Sequence, residues 1–102
     1  MSDGAIRQAA TGELQLVGVL DYRTGPALRE AGRQLIQAST QASLVLDCAL
    51  VEKSSSVGLS LLLAFLRDAK AANKPLSIRR LPADMLEIAK VSGLLEVLAP
   101  QA

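Results

Sequence analysis

Three consecutive serines, Ser54, Ser55 and Ser56, stand directly before Val57, Gly58 and the apolar run "LSLLLAFL". A serine hydroxyl can be a nucleophile, a phosphate acceptor, a helix cap or a contact for another protein. A nucleophilic serine needs a base beside it, and the chain has no histidine to supply one. "SSSVGLS" lacks the Gly-x-Ser-x-Gly elbow of serine hydrolases. With one glycine and no lysine ahead of a Ser or Thr at the helix start, it is not a phosphate-binding loop either. The carboxylates Asp21, Glu30, Asp47, Glu52, Asp68, Asp84, Glu87 and Glu96 show no metal-ligand spacing. The chain therefore reads as non-enzymatic, with no catalytic residue, metal or cofactor expected. Helix cap, phosphate acceptor and contact surface remain for the serines.

The elements around them follow from apolar periodicity. "ELQLVGVLD" alternates and reads as a strand, and "AIRQAATGE" ahead of it supplies a short strand and a turn at Thr11-Gly12. "RTGPALREAGRQLIQAS" reads as a helix with Thr24 as N-cap and Pro26 in its first turn. Leu28, Ala31, Gly32 and Leu35 make its apolar stripe, and the small Ala31 and Gly32 let it lie close to a sheet. "SLVLDCALV" is a central strand ending at Asp47, with a loop through Glu52 and Lys53 leading to the serines. From Gly58 to about Asn73 the pattern is helical, with Leu59, Leu62, Leu63 and Leu66 toward the core. "PLSIRR" is a short strand with Leu76 and Ile78 inward. "LPADMLEIAKVSG" is a helix with Pro82 and Asp84 in its first turn and Gly93 as its stop, and "LLEVLAP" closes the chain.

Strands alternating with helices imply an α/β fold with a mainly parallel sheet. With 102 residues the chain suits one domain over residues 1–102. The serine loop then lies at the carboxyl edge of the sheet, where ligands of such sheets gather, and at a helix N-terminus, which favours anions. Ser55 or Ser56 should cap that helix. Ser60 is the one polar residue from Val57 to Leu66. Leu61, and on the flank Phe65, fall off the core stripe, so either a neighbouring helix covers them or they form a partner surface with the serines. The expectation is partial exposure of both, with a partner surface comprising Ser54, Ser55, Ser56, Val57, Gly58, Leu61 and Phe65.

Composition agrees with a contact role. The net charge is +1, from 11 basic and 10 acidic residues, and there is one Phe, one Tyr and no Trp. Nucleic-acid binding would favour a basic face and stacking aromatics, so none is expected. The single Cys48 sits in an apolar run and reads as a buried small hydrophobe, consistent with a reducing cytoplasm. "MSDGAIRQAA" lacks the pattern of a signal peptide, and the run from Leu61 to Leu66 falls far short of the roughly 20 residues of a membrane span.

"SLVLDCALVEKSSSVGLSLLLAFLRDAK" followed by "KPLSIRRLPADMLEIAKVSGLLEVL" resembles the STAS domain, shared by sulfate transporters and anti-sigma factor antagonists. The likeness runs from about Glu13 to Leu98. Within the family, the small cytoplasmic subunits of Mla-type phospholipid ABC transporters look closest. The resemblance implies a STAS-like α/β domain with a mixed, mostly parallel sheet of four to five strands and helices mainly on one face. It implies a non-catalytic accessory subunit that binds an MlaF-like ATPase through this loop and helix, in a system maintaining outer-membrane lipid asymmetry. The chain would then be cytoplasmic, held at the inner membrane through the complex without inserting, and a homodimer is possible when it is isolated. Aligned on Gly58-Leu59, Ser56 falls at the residue phosphorylated in anti-sigma antagonists, and Ser55 falls where the family usually has Asp. The alternative function, an anti-sigma factor antagonist switched by phosphorylation of Ser56, lacks that neighbouring acid.

Overall fold

A computed structural model describes residues 3–98. Both ends of the single domain expected over 1–102, including Ala99-Pro100 of "LLEVLAP", lie outside the described residues. The elements are β1 (Ala5–Gln8), β2 (Glu13–Leu20), α1 (Gly25–Ala38), β3 (Leu44–Ser54), α2 (Ser56–Ala71), β4 (Leu76–Arg79), α3 (Ala83–Val91) and α4 (Leu95–Leu98). The sheet order is β1-β2-β3-β4. β1 and β2 form the expected antiparallel hairpin, while β2–β3 and β3–β4 are parallel. The fold is therefore the α/β arrangement with a mixed, mostly parallel four-stranded sheet.

Each parallel step needs a crossover helix, and right-handed crossovers running in one direction across a sheet leave their helices on one face. α1 and α2 accordingly pack side by side. Alternation along β2 buries Leu14, Leu16 and Leu20 beneath them and leaves Gln15, Val17 and Val19 half-buried on the other face. Lys74, just past α2, reaches back so that its Nζ donates to the carbonyl of Ile36 at 2.8 Å and to that of Ser39, closing the end of α1.

Two expectations are corrected, one about the extent of a strand and one about the buried face of a helix. β3 does not end at Asp47 but continues to Ser54. Asp47 is 4% exposed, paired with Arg79 and Arg80, and its Oδ1 accepts from the Ala49 amide at 2.9 Å. The pairing with β2 shifts between Gln15 and Val17 and again between Gly18 and Val19. Asp47 thus marks a bulge, which bends a strand without ending it. On α1, the residues buried are Gly25, Leu28, Gly32 and Ile36, with Ala31 and Leu35 only half-buried. That face is turned from the predicted stripe because α1 packs on α2 as well as on the sheet.

Cys48 is fully buried, as expected, and burial beside the Asp47 carboxylate pushes its thiol up to about 12. Its thiol is therefore protonated and inert in the folded chain. Gly93 lies in the left-handed region at φ 70° and ends α3, the stop its position predicted.

Candidate functional site

β2 and β3 run parallel and adjacent, so their carboxyl ends meet at one edge. Leu20 pairs with Ser54 there, and the Ser55 amide donates to the Leu20 carbonyl at 3.2 Å. Each strand feeds a helix, so both helix N-termini open on this edge. The serines expected to form a contact surface are brought to it together.

Each serine has its own place. Ser54 is half-buried, and its Oγ donates to the Ser55 carbonyl at 2.9 Å. Ser55 is the N-cap of α2, its Oγ accepting from the Val57 amide at 3.2 Å. Ser56 is the first residue of α2 and exposed; its carbonyl accepts from the Ser60 hydroxyl at 3.3 Å. The helix thus begins two residues before the predicted Gly58. Because Ser55 serves as cap, the Ser56 hydroxyl is not needed for folding the helix start.

Gly58 is buried and fixes how deep α2 sits. A Cβ there would lie 2.0 Å from Ser54 Oγ and 3.2 Å from both Leu20 Cδ1 and Met85 Cε. The missing side chain lets the first turn of α2 pack closely against Ser54, Leu20 and Met85.

Leu61 and Phe65 are the clear correction. Helical periodicity predicts partial exposure for both, but Leu61 is 4% exposed and Phe65 fully buried. The neighbouring helix covers them. Gly32 on α1 lacks the side chain that would stand in Phe65's place: a Cβ there would lie 2.3 Å from Phe65 Cε1. Across the same seam Arg29 forks onto Asp68, with Nη2 to Oδ1 at 3.0 Å. The exposed side of α2 is instead Ser56, Ser60, Arg67 and Lys70, with Leu63 and Leu66 half-buried beside it.

Two apolar grooves flank this ridge. One, about 310 Å³, lies between the starts of α1 and α2 and is lined by Tyr22, Gly25, Pro26, Arg29, Val57, Ser60 and Leu61. Leu61 contributes its floor. The other lies toward α4. Tyr22, 79% exposed, lines the first groove, and the apolar periodicity of the sequence does not point to it. The signal was there: it is the chain's one tyrosine, in the loop that follows β2. That loop is shaped by Asp21, whose Oδ1 accepts from the amides of Arg23 at 2.9 Å and Thr24 at 3.3 Å. The Arg23 guanidinium, hydrogen-bonded to the same carboxylate, holds it below the usual aspartate range. Thr24 occupies the N-cap position of α1 but makes no capping bond, its Oγ1 instead turning back to the Val19 and Asp21 carbonyls.

Among the described residues no group of three His, Cys, Asp or Glu is placed to hold a metal ion, and no helix is long and apolar enough to cross a membrane. An exposed hydroxyl without a base beside it can hydrogen-bond or be modified. Activation as a nucleophile would need such a base.

Comparison with known structures gives the same architecture. The unphosphorylated anti-sigma factor antagonist SpoIIAA superposes with a TM-score of 0.69 at 15% identity, covering 90% of this chain and 82% of its own. An anti-sigma factor antagonist from Mycobacterium paratuberculosis gives a TM-score of 0.72 at 22% identity, covering 93% and 80%. At these identities the likeness is one of fold. No curated protein matches the sequence. The family model described as "Mlab, STAS domain" matches residues 5–99, and the chain belongs to that family of STAS domains.

Proposed function

We propose that this chain is a non-catalytic docking subunit that binds and stabilises the cytoplasmic ATPase of an Mla-type phospholipid ABC transporter. It docks through the edge formed by Ser54–Ser60 and the Tyr22 groove. The observation that carries this reading is the division of labour among the serines. Ser55 caps α2, so the exposed Ser56 hydroxyl is left for an outside partner, beside an apolar groove and an exposed tyrosine. A tyrosine rim over an apolar pocket is the composition of a protein-binding hot spot. The Mla assignment is supported by the type of STAS model that the chain matches.

Calorimetric titration of the purified ATPase subunit with the parent chain, Ser56→Asp and Tyr22→Ala tests it. A carboxylate at the first position of a helix is tolerated in the free chain, because it meets the positive end of the helix dipole. In an interface the same charge is desolvated without a counter-ion. Both variants should bind at least about tenfold more weakly, the scale of a 1.4 kcal/mol loss, while remaining folded. Unchanged affinity in both variants removes the proposal. Phosphorylation of Ser56 by a kinase is the second reading, favoured by its exposed hydroxyl. Ser55 stands where that kinase chemistry is usually accompanied by an acid, which weighs against it.

A further inference from the structure

The second groove lies on the opposite side of the α2 ridge, between α2 and the short α4. It is open, about 450 Å³, and its apolar lining is Leu63, Leu66 and Val97. Val97 is 58% exposed, a large apolar side chain left to solvent at the groove wall. Arg67 and Lys70 lie along the other wall, both exposed and one helical turn apart on α2. Among the described residues neither has an ion-pair partner, whereas Arg23, Arg29, Arg33, Arg79 and Arg80 each face a carboxylate. An apolar floor with unpaired cations along one edge is complementary to one kind of segment: a helix with an apolar stripe and carboxylates at its border.

We propose that this groove seats an acidic amphipathic helix of the same ATPase partner. Its apolar side rests on Leu63, Leu66 and Val97, and its carboxylates face Arg67 and Lys70. The inference rests on the ATPase reading above and adds a second, electrostatic point of attachment to it. The Ser56 edge supplies hydroxyl and aromatic contacts, while this groove makes the complex sensitive to salt.

The test titrates the ATPase subunit with the full chain and with Arg67→Glu/Lys70→Glu at low and high ionic strength, with melting curves to show that the variant is folded. Arg67→Gln/Lys70→Gln provides a second, neutral variant. The parent's affinity should fall as salt rises. The Glu variant should bind roughly tenfold or more weakly at low salt and lose most of that salt dependence, with the Gln variant between the two. Equal affinity and equal salt dependence in all three overturns the inference. If Ser56→Asp still weakens binding in that case, the docking proposal stands without it. Failure of the parent to bind the ATPase overturns both. Vesicles containing phosphatidylglycerol serve as the remaining arm. Binding of the parent to them without ATPase, lost in the Glu variant, would assign the two cations to a membrane surface and overturn the inference.

Discussion

The two sides of α2 have nearly the same raw material and opposite fates. Toward α1 lie Leu61, Ala64 and Phe65, all buried. Toward solvent lie Ser56, Ser60, Leu63, Leu66, Arg67 and Lys70, with the two leucines only half-buried. Leucine occurs on both sides, so hydrophobicity alone does not decide which side is core. What decides it is the surface of α1: Gly32 opens a gap that Phe65 fills, and the Arg29–Asp68 fork holds the helices at that spacing. The side facing away keeps leucines that the described residues cover only in part, among exposed polar and charged side chains.

Substitutions on the packed side should therefore read out as stability. Leu61→Glu places a carboxylate in an apolar seam and is expected to cost on the order of 3 kcal/mol or more, enough to unfold much of the population. Phe65→Ala should cost about 3–5 kcal/mol, as for other large buried aromatics. Denaturant melts of each against the parent measure both. A well-folded Leu61→Glu domain would mean that α2 can rotate away from α1, and the contrast between its two sides would fail.

Gly32→Ala probes the seam from the other helix. Three Phe65 ring atoms would lie within 2.9 Å of the new methyl, so the fully buried ring or the helix would have to shift. Overpacking should cost about 1–3 kcal/mol, partly offset by the roughly 1 kcal/mol that alanine gains over glycine inside a helix. Thermal melts should show a lower midpoint for this variant. A rise would mean that the gap is looser than the geometry implies.

The first half of this contrast was legible in the sequence only in part. The helix, its serine cap and the parallel αβ order followed from periodicity and local chemistry. The small residues Ala31 and Gly32 were also recognised as a close approach, but toward the sheet, whereas Gly32 meets Phe65 on α2. Helical geometry states which side chains share a face. It does not state how far a second helix wraps around that face, and here the wrap takes in Leu61. The extension of β3 was hidden for a related reason. Asp47 reads as a strand end until Arg79 and Arg80, more than thirty positions later, neutralise it inside the sheet. Tyr22 has only its uniqueness to mark it, because a lone loop aromatic belongs to no periodic pattern.

The smallest effects belong to the helix start, and they should split between neighbours. Ser55→Ala removes the capping bond and should cost about 1 kcal/mol. Ser56→Ala removes an exposed hydroxyl that makes no cap and should change stability by no more than about 0.5 kcal/mol. Equal losses in urea melts would show the two hydroxyls sharing the cap. A larger loss at Ser56 would place it in a network that folding needs, and the division of labour behind the docking proposal would disappear.

The central claim is that the partner meets the chain along the solvent side of α2 and the edge where α1 and α2 begin. Amide chemical-shift mapping of the isotope-labelled chain, titrated with the ATPase subunit, tests this most directly. The account predicts that the largest perturbations fall on Tyr22, Ser55, Ser56, Ser60 and Arg67, with Val17, Val45 and Leu50 on the uncovered sheet face unchanged. Perturbations centred on that sheet face, with the α2 ridge silent, would contradict it.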